Sequence, residues 1–161
     1  MITIKINQNL NLNQKKALEC MRKIAKARDE LPYMRPLKTG EPGKKIFAEY
    51  IEGFICDALN LERAKEINQK DYDAIVPKTR KKIQIKDTSF SAPSFGKIIK
   101  FHYLITVKLN KKDFSINQIA VFPKEVIEKS IGNKRDFRFH KKKHSKFIVY
   151  ENNRWLKKEI S

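Results

Sequence analysis

Three residue types in this chain stand at a spacing suited to phosphate chemistry. Tyr72-Asp73-Ala74-Ile75 is followed by Gln84-Ile85-Lys86. Alternate residues of a strand share one face, so Gln84 and Lys86 point together while Ile83 and Ile85 turn to a core. If 71–76 pairs with 82–87 through the turn at 77–80, Asp73 comes beside that polar face. A carboxylate, an amide oxygen and an ammonium then converge at one sheet edge. Asp73 can ligate Mg2+, an ion that prefers hard oxygen donors, and the Ile85 carbonyl adds another oxygen. Lys86 can orient or help deprotonate an attacking water, or offset charge on a pentavalent phosphate. The same residue types also suit a solvated hairpin face.

The elements that must position these groups follow from period. Ala17, Leu18, Met21, Ile24 and Ala25 recur at helical spacing over 13–27, with Asn13 as the expected N-cap. Ile46, Phe47, Tyr50, Ile51, Phe54, Ile55 and Leu59 make a broad apolar face over 44–59. After a polar stretch at 60–70 the pattern turns to strands, at 71–76, 82–87, 98–109 and 114–122. Pro123 opens a helix to about Ser130 with Glu125 in its first turn. A basic loop or hairpin at 132–146, a strand at 146–150 and a terminal helix at 153–160 complete the expected order. Residues 1–8 read as a short strand or frayed arm. No repeat or Gly/Ser linker divides the 161 residues, so a single α/β domain with a mixed central sheet flanked by helices is expected.

With that layout the chain resembles the PD-(D/E)xK nuclease superfamily, the restriction endonuclease-like fold. The family signature is an acid at a strand start, then acid-x-Lys on the adjoining strand, with a Glu on the first core helix. Asp73 matches the first acid and Lys86 the lysine, while Gln84 stands where the second acid would be. Glu49 is the expected helix acid, with Glu52 and Glu41 as alternatives. The resemblance spans about residues 40–130, with 13–27 and 132–161 as additions to that core. It implies a Mg2+-dependent DNA endonuclease, with Mn2+ as a substitute, resembling a small type II restriction enzyme. Asp73, Glu49, Gln84 and the Ile85 carbonyl would hold the metal, and Lys86 would position water. It further implies double-stranded DNA as partner, a homodimer to cut both strands, and a cognate DNA methyltransferase. The same fold also serves junction and repair nucleases, and a non-catalytic nucleic-acid-binding domain is the other alternative.

Charge points the same way. Lys and Arg number 36 against 18 Asp and Glu, a net charge of +18, which a polyanionic partner would offset. Lys78, Arg80, Lys81, Lys82 and Lys97 cluster beside the proposed site. Arg138, Lys141, Lys142 and Lys143 interleave with Phe137 and Phe139, a pattern suited to a groove or to stacking on bases; Lys134, Arg135 and Lys146 extend it. Ser89 and Ser91, in a Ser/Pro/Phe loop after the catalytic strand, could bond phosphates or base edges.

Other features carry less. His140 and His144 have helical metal spacing, but the three lysines between them argue against zinc. His102 alternates within an apolar strand and reads as structural, and Trp155 as a core anchor on the terminal helix. Gly40-Glu41-Pro42-Gly43-Lys44 lacks the spacer and hydroxyl of a phosphate loop. Tyr33 and Met34 are expected to pack in the core. Cys20 and Cys56 lack metal or redox spacing and are expected as reduced core residues. No apolar run is long enough to span a membrane, and the alternating N-terminal residues lack a signal core, so a cytoplasmic location is expected.

Overall fold

The amphipathic spacing of the first third produces two helices, and the alternating text after it produces one sheet. A computed structural model describes residues 4–30, 44–64, 71–89, 92–95, 98–110, 112–131, 136–157 and 159–160, with the side chains at 27–29 and 44–47 outside the description. Expectations on Tyr33, Met34, Glu41, Ser91, Lys97, Lys134 and Arg135 lie outside the described residues.

A short strand β1 (Ile4–Lys5) precedes helix α1 (Leu12–Glu30). Its cap is Asn11, not Asn13. The Asn11 Oδ1 accepts from the Gln14 amide at 2.8 Å, and the Gln14 Oε1 accepts from the Asn11 amide at 2.9 Å. This reciprocal arrangement needs an acceptor three residues beyond the cap; Asn11 has Gln14 there, whereas Asn13 has Lys16. Gln14 is buried, and its Nε2 donates to the Phe54 carbonyl at 3.1 Å, which ties α1 to helix α2 (Lys44–Leu59).

Helix α2 has the expected bounds and buries Tyr50, Ile51, Phe54, Ile55 and Leu59. It stops where Asn60 adopts φ 51° and the Leu61 amide reaches back to the Cys56 carbonyl at 2.9 Å, a left-handed C-terminal stop. Two expectations are corrected on α1: Ile24 and Cys20 are exposed, because among its described side chains the helix buries the stripe through Gln14, Met21 and Ala25. Cys56 is buried and both thiols are free.

Seven strands then form one mixed sheet whose spatial order equals chain order: β2 (Glu62–Arg63), β3 (Ala74–Ile75), β4 (Lys82–Asp87), β5 (Tyr103–Leu109), β6 (Ile116–Pro123), β7 (Ile148–Glu151) and β8 (Arg154–Trp155). All pairs are antiparallel except β4–β5, which is parallel. Ile83, Ile85, Ile105, Val107, Ile119 and Val121 join α1 and α2 in one cluster. Leu104, Ala120, Phe122 and Ile148 form a second with Ile127 of helix α3 (Lys124–Ser130) and with Phe137. Alternation along β5 and β6 therefore assigns the two clusters to opposite faces of the sheet. Each fully buried Ile or Phe contributes about 1.5–3 kcal/mol, so this two-sided cover, more than the two-residue ladders at β2 and β8, holds the edges.

The C-terminal third departs from expectation. The basic loop expected over 132–146 is seen at 136–140, and helix α4 (Lys141–His144) and a 3-10 turn (Ser145–Phe147) take the place of its remainder. The expected terminal helix is instead β8 and β9 (Glu159–Ile160), the latter paired with β1. The cause is Asn152-Asn153, whose φ values of 52° and 61° make the left-handed two-residue turn that joins β7 to β8. Trp155 accordingly sits half-buried on a strand, its ring 5.0 Å from that of Tyr150. Strand β5 begins at Tyr103 rather than at 98, since Ile98 is 76% exposed and outside the ladder. Among the described residues no helix is long and apolar enough to cross a membrane.

Candidate functional site

The hairpin β3–β4 builds the site. Ala74 opposes Ile83 and Ile75 opposes Lys82, so one step further Asp73 lies opposite Gln84. The Asp73 amide donates to the Ile83 carbonyl at 2.8 Å. Strand β3 is shorter than expected because Asp73 continues the ladder with its side chain: Oδ2 accepts from the Ile85 amide at 2.6 Å and from Gln84 Nε2. The carboxylate therefore stands at the end of β3, against β4. Amide and carbonyl of one strand residue point to the same side, which directs the Ile85 carbonyl toward this end as well.

Burial raises the Asp73 carboxyl above its ordinary range, although the Lys86 charge, the two hydrogen bonds and Arg63 all oppose that rise. Lys86 is half-buried, two residues beyond Gln84 and on its face. Desolvation thus disfavours the charged form of this acid, and one lysine is its main electrostatic support.

Glu49 and Glu52 of α2 do not gather with Asp73 into a three-acid cluster. Both bind Arg63 of β2, Glu52 at 3.0 Å and Glu49 at 2.5 Å. Burial raises the Glu52 carboxyl, Arg63 lowers it, and the charges of Asp73 and Glu49 raise it again. Among the described residues no three His, Cys, Asp or Glu side chains form a metal-holding group. The oxygens near β3 are nonetheless the Asp73 carboxylate and the Ile85 carbonyl, with Glu52 close enough to sense Asp73, and Gln84, whose Nε2 donates to Asp73, would add its amide oxygen on turning over. That donor chemistry fits a hard divalent ion. Arg63 was not among the expected site residues, because a two-residue strand carries no readable period.

The basic residues divide by what already holds them. Lys78 and Arg80 are exposed in the β3–β4 turn, with Arg80 paired to Glu62 at 2.7 Å. Lys81 and Lys82 are half-buried, their ammonium groups 5.9 Å from the Tyr103 ring centre and 4.9 Å from that of Tyr72. Ser89 is buried, and its Oγ accepts from the Leu109 amide at 2.6 Å, so it serves the sheet and not the surface. Arg138, Lys141, Lys142 and Lys143 are exposed, and Lys141 pairs with Glu151 at 2.9 Å. The lysines ride on an aromatic layer in which Phe122, Phe137, Phe139 and Phe147 surround His144. The His144 Nδ1 accepts from the His140 amide at 3.1 Å, and burial lowers its pKa.

His102, read as a structural residue inside a strand, is exposed ahead of β5. Its amide donates to the Lys82 carbonyl at 2.8 Å, its Nδ1 accepts from the Lys82 amide at 3.0 Å, and its carbonyl accepts from the Lys124 amide at 2.9 Å.

No protein-family model matches this chain, and no curated protein matches it.

Proposed function

We propose that this chain is a Mg2+-dependent DNA endonuclease with a restriction endonuclease-like fold. The observation that carries the reading is the Asp73 carboxylate at the end of β3, opposite Gln84 and beside Lys86 on the adjoining strand. The mixed sheet and the long helix α2 against β4 support it further.

Asp73, Gln84 and the Ile85 carbonyl would hold the ion, with Glu49 or Glu52 contributing once released from Arg63. When bound, Mg2+ polarises the phosphodiester and acidifies water. Asp73 supplies the negative charge of the site and is kept in register by the Ile85 amide. Lys86 orients the attacking water and offsets charge on the phosphate. Lys78, Arg80, Lys81 and Lys82 hold the backbone without reading sequence. A homodimer would bring two such sites to a duplex, and a DNA methyltransferase would protect the host's own sites. A cytoplasmic location follows from this role.

The test is incubation of purified protein with mixed plasmid and Mg2+ or Mn2+. Discrete fragments are expected, and Asp73→Asn and Lys86→Met remove them. Cleavage confined to four-way junctions or single strands would reassign the substrate within the same chemistry. A second reading is favoured by one observation, the Gln84 amide nitrogen turned to Asp73 where an acid would strengthen metal binding. It makes the chain a metal-independent nucleic-acid-binding domain, and it predicts salt-sensitive binding with no scission under any divalent ion.

A further inference from the structure

We infer that His102 is the centre of a phosphate-binding site for the nucleic-acid backbone, formed where the starts of β4, β5 and α3 are laced together. Three hydrogen bonds converge on this one residue. One is made by the ring, whose Nδ1 accepts from the Lys82 amide; the other two are backbone bonds, from the His102 amide to the Lys82 carbonyl and from the Lys124 amide to the His102 carbonyl, so three chain segments meet at this residue, two of them at a lysine. Lys81, Lys82 and Lys124 all impose their charge on the imidazole, and Glu125 is the one acid that acts on it. Because Nδ1 accepts the Lys82 amide, the proton of the neutral ring sits on Nε2. His102 is exposed, so a fixed N–H donor is offered at a surface where Lys81, Lys82 and Lys124 stand on the segments bonded to it.

A strand end does not need this concentration of positive charge for folding. Burial and then the charges of Lys81, Lys124 and Lys82 depress the His102 pKa, as an excess of nearby cations does. Among the described residues Lys124 pairs with the exposed Glu128 at 3.5 Å, a pair that a phosphate easily displaces. Lys82 shares the strand face of Gln84 and Lys86, so the site continues the backbone path away from Asp73. A phosphodiester fits the cluster by charge, by hydrogen-bond donors and by its place next to the hairpin.

The inference rests on the nucleic-acid part of the proposed function and is independent of cleavage. Its test is metal-free binding of a fluorescent 20-base-pair duplex (an arbitrary length of roughly two helical turns) in EDTA over a salt series. His102→Asn keeps an acceptor for the Lys82 amide and loses the outward donor; Lys124→Gln removes one charge. Each is expected to weaken binding about three- to ten-fold, and Lys124→Gln to reduce the salt slope by about one.

In the wild type, an anion at the ring stabilises imidazolium, so adding duplex raises the His102 pKa seen by ring NMR. Affinity then rises as pH falls through the raised pKa of the complex toward the lowered pKa of the free ring, and His102→Asn lacks that part of the rise. Unchanged affinity in His102→Asn together with an unchanged ring pKa overturns the inference alone. Absence of salt-dependent binding by the wild type overturns it together with the nucleic-acid reading.

Discussion

Replacing Asp73 by Asn and by Ala separates a functional carboxylate from a structural one. Ala removes the acceptor for the Ile85 amide and for Gln84 Nε2. An unsatisfied buried donor costs about 1–3 kcal/mol, and both the Ile85 amide and the buried Gln84 lose their acceptor while the buried charge is relieved, so the net loss is about 2–3 kcal/mol. For a chain of this size that lowers Tm by about 5–10 °C. Asn keeps an oxygen for Ile85, and Gln84 can offer its own oxygen to the new amide, so the hydrogen bonds change by less than about 1 kcal/mol.

Asn also removes the buried charge. Burial raises the Asp73 carboxyl above the ordinary aspartate value in the folded chain. Stability from a group raised in this way is fully present below the unfolded value and is lost as pH rises through the folded one. Asp73→Asn is therefore expected to equal or exceed the wild type in Tm at pH 7, and that advantage shrinks as pH falls toward 3.8. Thermal unfolding of the three proteins at pH 7 and near pH 4 checks this. If Asn is destabilised as much as Ala at pH 7, the ionised carboxylate is a net asset to the fold and the functional reading of Asp73 loses its physical ground.

Lys86→Met removes the main electrostatic support of Asp73, so it lowers Tm at pH 7 and not at a pH where Asp73 is protonated; paired melts at the two pH values check the sign. Gln84→Glu sets two carboxylates opposite one another, which costs up to about 1 kcal/mol without metal. Mn2+ should then raise the Tm of Gln84→Glu more than that of the wild type, and an equal rise would show that the hairpin does not hold the ion. Asn11→Ala removes the α1 cap and is expected to cost about 1 kcal/mol in urea unfolding, whereas Asn13→Ala costs little.

The hairpin was legible because its period is local: the bounds of β4 and the apposition of Asp73 and Gln84 follow from alternation and one turn. Helix α2 was legible because seven apolar residues recur on one face. What escaped is set by partners distant in sequence. Arg63 reads as a polar loop residue until α2 brings Glu49 and Glu52 to it. His102 reads as strand interior until Lys82 and Lys124 bond to it. The final hairpin was hidden because Asn152-Asn153 signals its turn only through backbone angles that spacing does not display.

The single parallel seam between β4 and β5 has a kinetic meaning. On its near side β2, β3 and β4 form a meander; on the far side β5 and β6 are neighbours in sequence. Each half closes short loops, whereas the seam must close over the connection 88–102 before any of its bonds form. The Asp73 hairpin is thus an early product of folding and the lacing at His102 a late one. Hydrogen exchange at the Lys82 amide, timed against that at Ile85, would report when the two meanders have joined.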